Sequence, residues 1–185
     1  MATNKPTFLI VHHTGGTDAD PKADTSHHTF EVVDDWHRQL WNEKSSLGHF
    51  IGYHYFIDKT GKVTQGRGDK DEGLHTKSYN LKSLGICLAG NFDVTKPTKA
   101  QETALRTLLQ AKTAEYGIPV ENILPHRRFA NKSCYGNLLS GTWAQELLKV
   151  VPPVPPTPPA SSNDAIVDEI RKHLTTVDTL LGKIK

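Results

Sequence analysis

The sequence predicts an α/β fold, a mixed central β-sheet flanked by helices. Three observations lead to it. Strand-like runs alternate along the chain with stretches of helical period, the pattern of a layered α/β domain. Residues 84–89 are continuously apolar, as expected of a central strand buried on both faces. Lys59-Thr60-Gly61 separates two strand-like segments, which adds one antiparallel hairpin.

Residues 7–12 form a β-branched and aromatic run, read as a buried strand. Residues 14–26 are rich in Gly, Asp, Thr and Pro and form a loop. Over 30–41, Phe30, Val33, Trp36, His37, Leu40 and Trp41 share one face at helical spacing. Trp36 and Trp41 are read as core residues of that helix. Segments 50–58 and 62–65 are the hairpin strands, and alternation over 51–57 places Tyr53 with Tyr55 and His54 with Phe56. Residues 66–79 read as a loop. The best-marked helix is 98–116: Thr98 and Gln101 make a capping box, Leu105, Leu108 and Leu109 the apolar stripe, and Gly117 the stop. A short strand at 122–125 delivers His126. A last helix spans 142–150, with Thr142 and Gln145 as a second capping box.

Residues 152–162 carry six prolines and read as a semi-rigid polyproline spacer. The expected division is therefore 1–151 as a folded domain, 152–162 as a Pro-rich linker and 163–185 as a separate C-terminal helix.

A hydrophobic content of 36% with 23% charged residues suits a soluble globular domain. A net charge of +2 gives no signature for nucleic acid. No apolar run reaches the ~18 residues of a membrane span, so no stable membrane insertion is expected. Residues 1–6 are polar and 8–11 are too short for a signal-peptide core, so synthesis in the cytoplasm without an export signal is expected. Of two cysteines, Cys87 lies in the apolar run and reads as a buried thiol. Cys134 lies in a polar loop beside Lys132. A Cys87–Cys134 disulfide would be out of place in a reducing compartment, which favours Cys134 as a metal thiolate.

The chemistry concentrates in His126-Arg127-Arg128-Phe129-Ala130-Asn131-Lys132-Ser133-Cys134, read with the His12-His13 pair that ends the first apolar run. Two imidazoles and a thiolate make a three-ligand zinc set, which leaves a fourth position open as catalytic sites do. His12 and His126 stand at strand ends where loops begin, the place where α/β sheets build sites.

Five ordered motifs carry a larger resemblance: Val11-His12-His13-Thr14, Gly52-Tyr53-His54-Tyr55-Phe56, Gly73-Leu74-His75, Ser83-Leu84-Gly85-Ile86 and His126…Lys132…Cys134. Over about residues 7–150 the chain resembles the zinc-dependent N-acetylmuramoyl-L-alanine amidases of the phage lysozyme type, relatives of the animal peptidoglycan-recognition proteins. The resemblance implies a zinc cleft with one Zn2+ per chain held by His12, His126 and Cys134. It implies hydrolysis of the amide between N-acetylmuramic acid and L-alanine in peptidoglycan. Lys132 would face the oxyanion, Tyr53 the attacking water, and His75 and Asn80 the muramyl-peptide. By the motif the first histidine of the pair is the ligand, so His13 packs, and His54 is a core residue. The family often has Pro after the cysteine ligand, where this chain has Tyr135-Gly136. An endolysin of this kind is made in the host cytoplasm and acts on the cell wall after release. The alternative is a non-catalytic peptidoglycan-binding module. Loss of the cysteine commonly marks that group, and Cys134, Tyr53 and Lys132 are all present here. A third reading, an intracellular regulator on the same fold, has no support in the composition.

In the tail, Val167, Ile170, Leu174, Val177, Leu181 and Ile184 are spaced three, four, three, four, three. That is the seam of a coiled coil, and it predicts a homo-oligomer through the C-terminal helix. Ile166 and Leu180 widen the stripe, which leaves folding back onto the domain as the alternative. The charges balance, whereas a membrane-active helix is strongly basic.

Overall fold

The structure is a computed structural model that describes residues 3–149. The linker expected over 152–162 and the coiled-coil helix expected over 163–185 lie outside the described residues. The elements are β1 (Phe8–His13), α1 (Phe30–Trp41), β2 (Tyr55–Ile57), β3 (Val63–Gln65), β4 (Ser83–Leu88), α2 (Lys99–Tyr116), β5 (Ile123–Pro125) and α3 (Trp143–Lys149). Each sits within a few residues of the position its sequence pattern predicts.

The strand order is β3-β2-β4-β1-β5. All neighbours are parallel except the β2–β3 hairpin, so the sheet is mixed and β4 is its central strand. The period of two then sorts the side chains. Leu9 and Val11 of β1, Leu84, Ile86 and Leu88 of β4, and Tyr55 and Ile57 of β2 face one side, where Leu105 and Leu109 of α2 and Trp143 and Leu147 of α3 cover them. Phe56 and Cys87 face the other side and pack with Phe30 and Val33 of α1. His12 pairs in register with Cys87, so it emerges on this second side.

α2 ends as its sequence dictates. The Gln101 N–H donates to Thr98 Oγ1 and the Thr98 N–H to Gln101 Oε1, both at 3.1 Å. Gly117 takes φ 63° beyond the last turn, the left-handed cap that glycine adopts without cost. Gln101 does more than cap: its Nε2 donates to Ala89 O at 2.8 Å, pinning α2 to the end of β4.

Three expectations are corrected. Trp36 and Trp41 are not core residues: they are 53% and 47% exposed, and Leu40 is 52% exposed. α1 buries only Phe30, Val33 and His37, because the sheet face beneath its C-terminal half is left open as a cleft. Tyr53 and Tyr55 do not share a face. Residues 52–54 bend before β2 begins, which breaks the alternation; Tyr53 packs with the α1 cluster and Tyr55 lies in the α2 cluster. No box forms at α3. Thr142 Oγ1 donates to the Glu146 carboxylate, and Gln145 Nε2 donates to Ile123 O at 3.0 Å, tying the helix to β5.

Two buried histidines act as backbone acceptors. His37 Nδ1 accepts from the Gly52 N–H at 2.9 Å, and His54 Nδ1 accepts from the Gly85 N–H at 3.0 Å. Burial pushes both down to about 4. The native state therefore resists protonation that the unfolded chain accepts below about 6.5. Their contribution is whole above pH ~6.5 and is lost as pH falls toward 4, at up to about 1.4 kcal/mol per pH unit for each proton. The urea midpoint of the metal-free protein is expected to drop clearly between pH 7 and pH 5; equal midpoints would contradict this.

Candidate active site

The cleft beside α1 has a volume of about 700 Å³ and is lined by His12, Trp36, His37, Trp41, Tyr53, His75, Asn80, His126, Lys132 and Cys134, among others. Every site residue named from sequence is on this lining. β1 and β5 run parallel with Val11 opposite Pro125, so their next residues, His12 and His126, emerge side by side with ring centroids 4.5 Å apart. Cys134 arrives from a loop. Its Sγ lies 3.7 Å from His12 Nδ1 and accepts from the His13 N–H at 3.5 Å. One ligand atom each from His12, His126 and Cys134 lie within 4.8 Å of one another.

The electrostatics suit a metal. Burial lowers the proton affinity of His12, helped by His75 and His126 nearby. Burial and the Lys132 charge do the same for His126. Both imidazoles are held neutral with lone pairs free, which ligation requires. Burial pushes the Cys134 thiol up to about 12, so a thiolate there needs a cation beside it, as a metal supplies.

The Cys134 loop is held by residues that sequence reasoning missed. Arg127 donates through its guanidinium to Gly136 O and to Leu139 O at 2.8 Å. Asp93 accepts from Ser133 Oγ and, at 2.8 Å, from the Asn137 N–H. Tyr135, in place of the family's Pro, is fully buried and meets Trp143 edge-on at 5.3 Å. The only sequence signal for this scaffold was an Arg pair beside His126. Asp93, distant in sequence, gave none. Both Cys87 and Cys134 are free thiols.

Tyr53 stacks obliquely on His12 at 5.0 Å. Burial and the neighbouring thiols of Cys87 and Cys134 keep its hydroxyl protonated, well above the usual phenol range. His13 points to the opposite side of the sheet, where its Nδ1 accepts from the Phe92 N–H at 2.9 Å. Asn80 spends its side-chain oxygen on the backbone of its own loop, accepting from the His75 and Thr76 N–H groups at 3.0 and 2.8 Å. That loop is anchored to α2 by Asp69, which accepts from Lys112 Nζ at 2.6 Å and Tyr116 OH at 2.9 Å.

Comparison with known proteins agrees with this architecture. The family model described as N-acetylmuramoyl-L-alanine amidase matches residues 2–137. The endolysin of Escherichia phage T7 is 34% identical over 119 residues, covering 61% of this chain and 73% of that protein. Peptidoglycan-recognition protein SC2 of Drosophila melanogaster is 32% identical over 134 residues, covering 72% and 70% respectively. Among solved structures, the endolysin amidase LysCS from Clostridium intestinale superposes with a TM-score of 0.64 at 26% identity, covering 80% of this chain and 86% of that one. With its fold, its ordered motifs and a family match over most of its length, the chain belongs to the N-acetylmuramoyl-L-alanine amidase family.

Proposed function

We propose that this protein is a zinc-dependent amidase that cleaves the bond between N-acetylmuramic acid and L-alanine in bacterial peptidoglycan, acting as an endolysin on the cell wall. The observation that carries the reading is the convergence of His12, His126 and Cys134 at one point of the cleft, with Tyr53 and Lys132 on the same lining. Two neutral nitrogens and a thiol suit zinc, with three protein ligands and a fourth position for substrate. When bound, zinc polarises a carbonyl and makes a water acidic enough to attack at neutral pH. Lys132 stabilises the oxyanion that develops at the scissile carbonyl. The Tyr53 hydroxyl, protonated at neutral pH, orients the attacking water and holds a proton for transfer. His75 and Asn80 shape the wall against which the muramyl-peptide lies.

One zinc per chain by elemental analysis, with activity on peptidoglycan lost to a chelator and restored by zinc, is the expected result. Active protein free of zinc would overturn the metal assignment. Trp36 offers a flat apolar wall to the substrate. Because it is more than half exposed, Trp36→Ala is expected to leave stability within about 0.5 kcal/mol while raising KM. Unchanged KM would remove Trp36 from the binding surface.

The tail seam is proposed to join chains into a homo-oligomer, which raises avidity for a polymeric wall. Sedimentation of the full chain against a chain ending at Val151 tests this. A full-length oligomer dissolved by Leu174→Asp is expected, and two monomeric species would contradict it.

A further inference from the structure

We propose that His75 is a positioning residue: a one-way hydrogen-bond chain, ending on the Tyr79 carbonyl, runs through Ser83 and His75 to His12 and aims the His12 Nδ1 lone pair at the metal position. The inference rests on the zinc reading above and adds a device to it.

The chain is read from its fixed end. A backbone carbonyl only accepts, so the Ser83 hydroxyl donates to Tyr79 O at 2.7 Å. With its proton committed, Ser83 Oγ meets His75 Nε2, 3.5 Å away, as an acceptor. His75 therefore carries its proton on Nε2 and keeps a lone pair on Nδ1. That lone pair faces His12 Nε2 at 3.1 Å, and the Thr76 hydroxyl, 3.0 Å from the same nitrogen, can at most share it. His12 Nε2 must then be the protonated nitrogen, which leaves Nδ1, the atom 3.7 Å from Cys134 Sγ, free to ligate. A ligand histidine whose other nitrogen donates to a fixed acceptor is more basic and better oriented. Here the acceptor is a second imidazole.

The fold reserves room for this ring. A Cβ at Gly85, in the central strand, would stand 2.5 Å from His75 ring carbons, and a Cβ at Gly73 would stand 2.5 Å from the same ring. Ser83 itself is fully buried. Two sequence motifs, Gly73-Leu74-His75 and Ser83-Leu84-Gly85, thus form a single socket, and neither glycine takes a left-handed φ that would otherwise require it.

Two measurements test the proposal. In long-range 1H–15N spectra of the metal-free protein, His12 and His75 are both expected as Nε2–H tautomers. His12 as the Nδ1–H tautomer would overturn the chain. In zinc competition titrations, His75→Leu is expected to weaken binding about 10–100-fold. His75→Asn, which places an acceptor oxygen where Nδ1 stood, is expected to recover most of that loss. Wild-type affinity in His75→Leu, or equal losses in both variants, would contradict the positioning role. Wild-type protein that takes up no zinc would instead remove the metal reading, while the tautomers still decide the direction of the chain.

Discussion

Cys134→Ser and His126→Ala are each expected to lose the metal and, with it, amide hydrolysis down to the uncatalysed background. The three ligand atoms lie within 4.8 Å of one another, and no other group of three His, Cys, Asp or Glu side chains among the described residues converges in this way. Removing one leaves two ligands where a catalytic zinc needs three. The fold should survive both changes, because neither side chain belongs to the two apolar clusters. Zinc content and the melting curve of each metal-free variant separate the effects. A variant that unfolds would show a structural role, and a variant that keeps both zinc and rate would show that the residue is not a ligand.

Tyr53→Phe and Lys132→Ala are expected to keep zinc and lose rate. Neither a phenol nor an ammonium is among the usual ligands of zinc, yet both side chains line the cleft beside the His12, His126 and Cys134 cluster. One lost oxyanion donor costs on the order of 10²–10³ in kcat, and a lost proton-transfer group costs on the order of 10²–10⁴. Tyr53→Phe keeps the ring that packs on His12, so its loss isolates the hydroxyl. Turnover near wild type in either variant, measured at saturating peptidoglycan with full zinc occupancy, would remove that residue from the reaction.

Much of this was legible in the sequence, for reasons that differ by residue. β4 was readable because a central parallel strand must be apolar on both faces. α2 was readable because its capping box and glycine stop are local devices. His12 and His126 were readable as a pair only through the ordered motifs that carry the resemblance, whereas the parallel pairing of β1 with β5 that brings them together is a tertiary contact with no local signal. The misreadings have a common physical source. Trp36, Leu40 and Trp41 sit at helical spacing with the buried residues of α1, but periodicity reports a face and not whether a neighbour covers it; here a cleft does not. Tyr53 was misplaced because alternation holds only within a strand, and the backbone bends at 52–54. Thr142 and Gln145 had the right spacing for a box, but Gln145 found a better partner in the β5 backbone. The bonds that hold Cys134 in place, from Arg127 and Asp93, depend on tertiary approach and left no local pattern.

The central claim is that this site cuts one amide bond, and mass spectrometry of purified peptidoglycan digested by the zinc-loaded protein tests it most directly. The account predicts intact glycan strands with free lactyl carboxylates and released stem peptides that begin with a free L-alanine amine. New reducing sugar ends, cuts between amino acids, or wall material that is bound and left whole would contradict it.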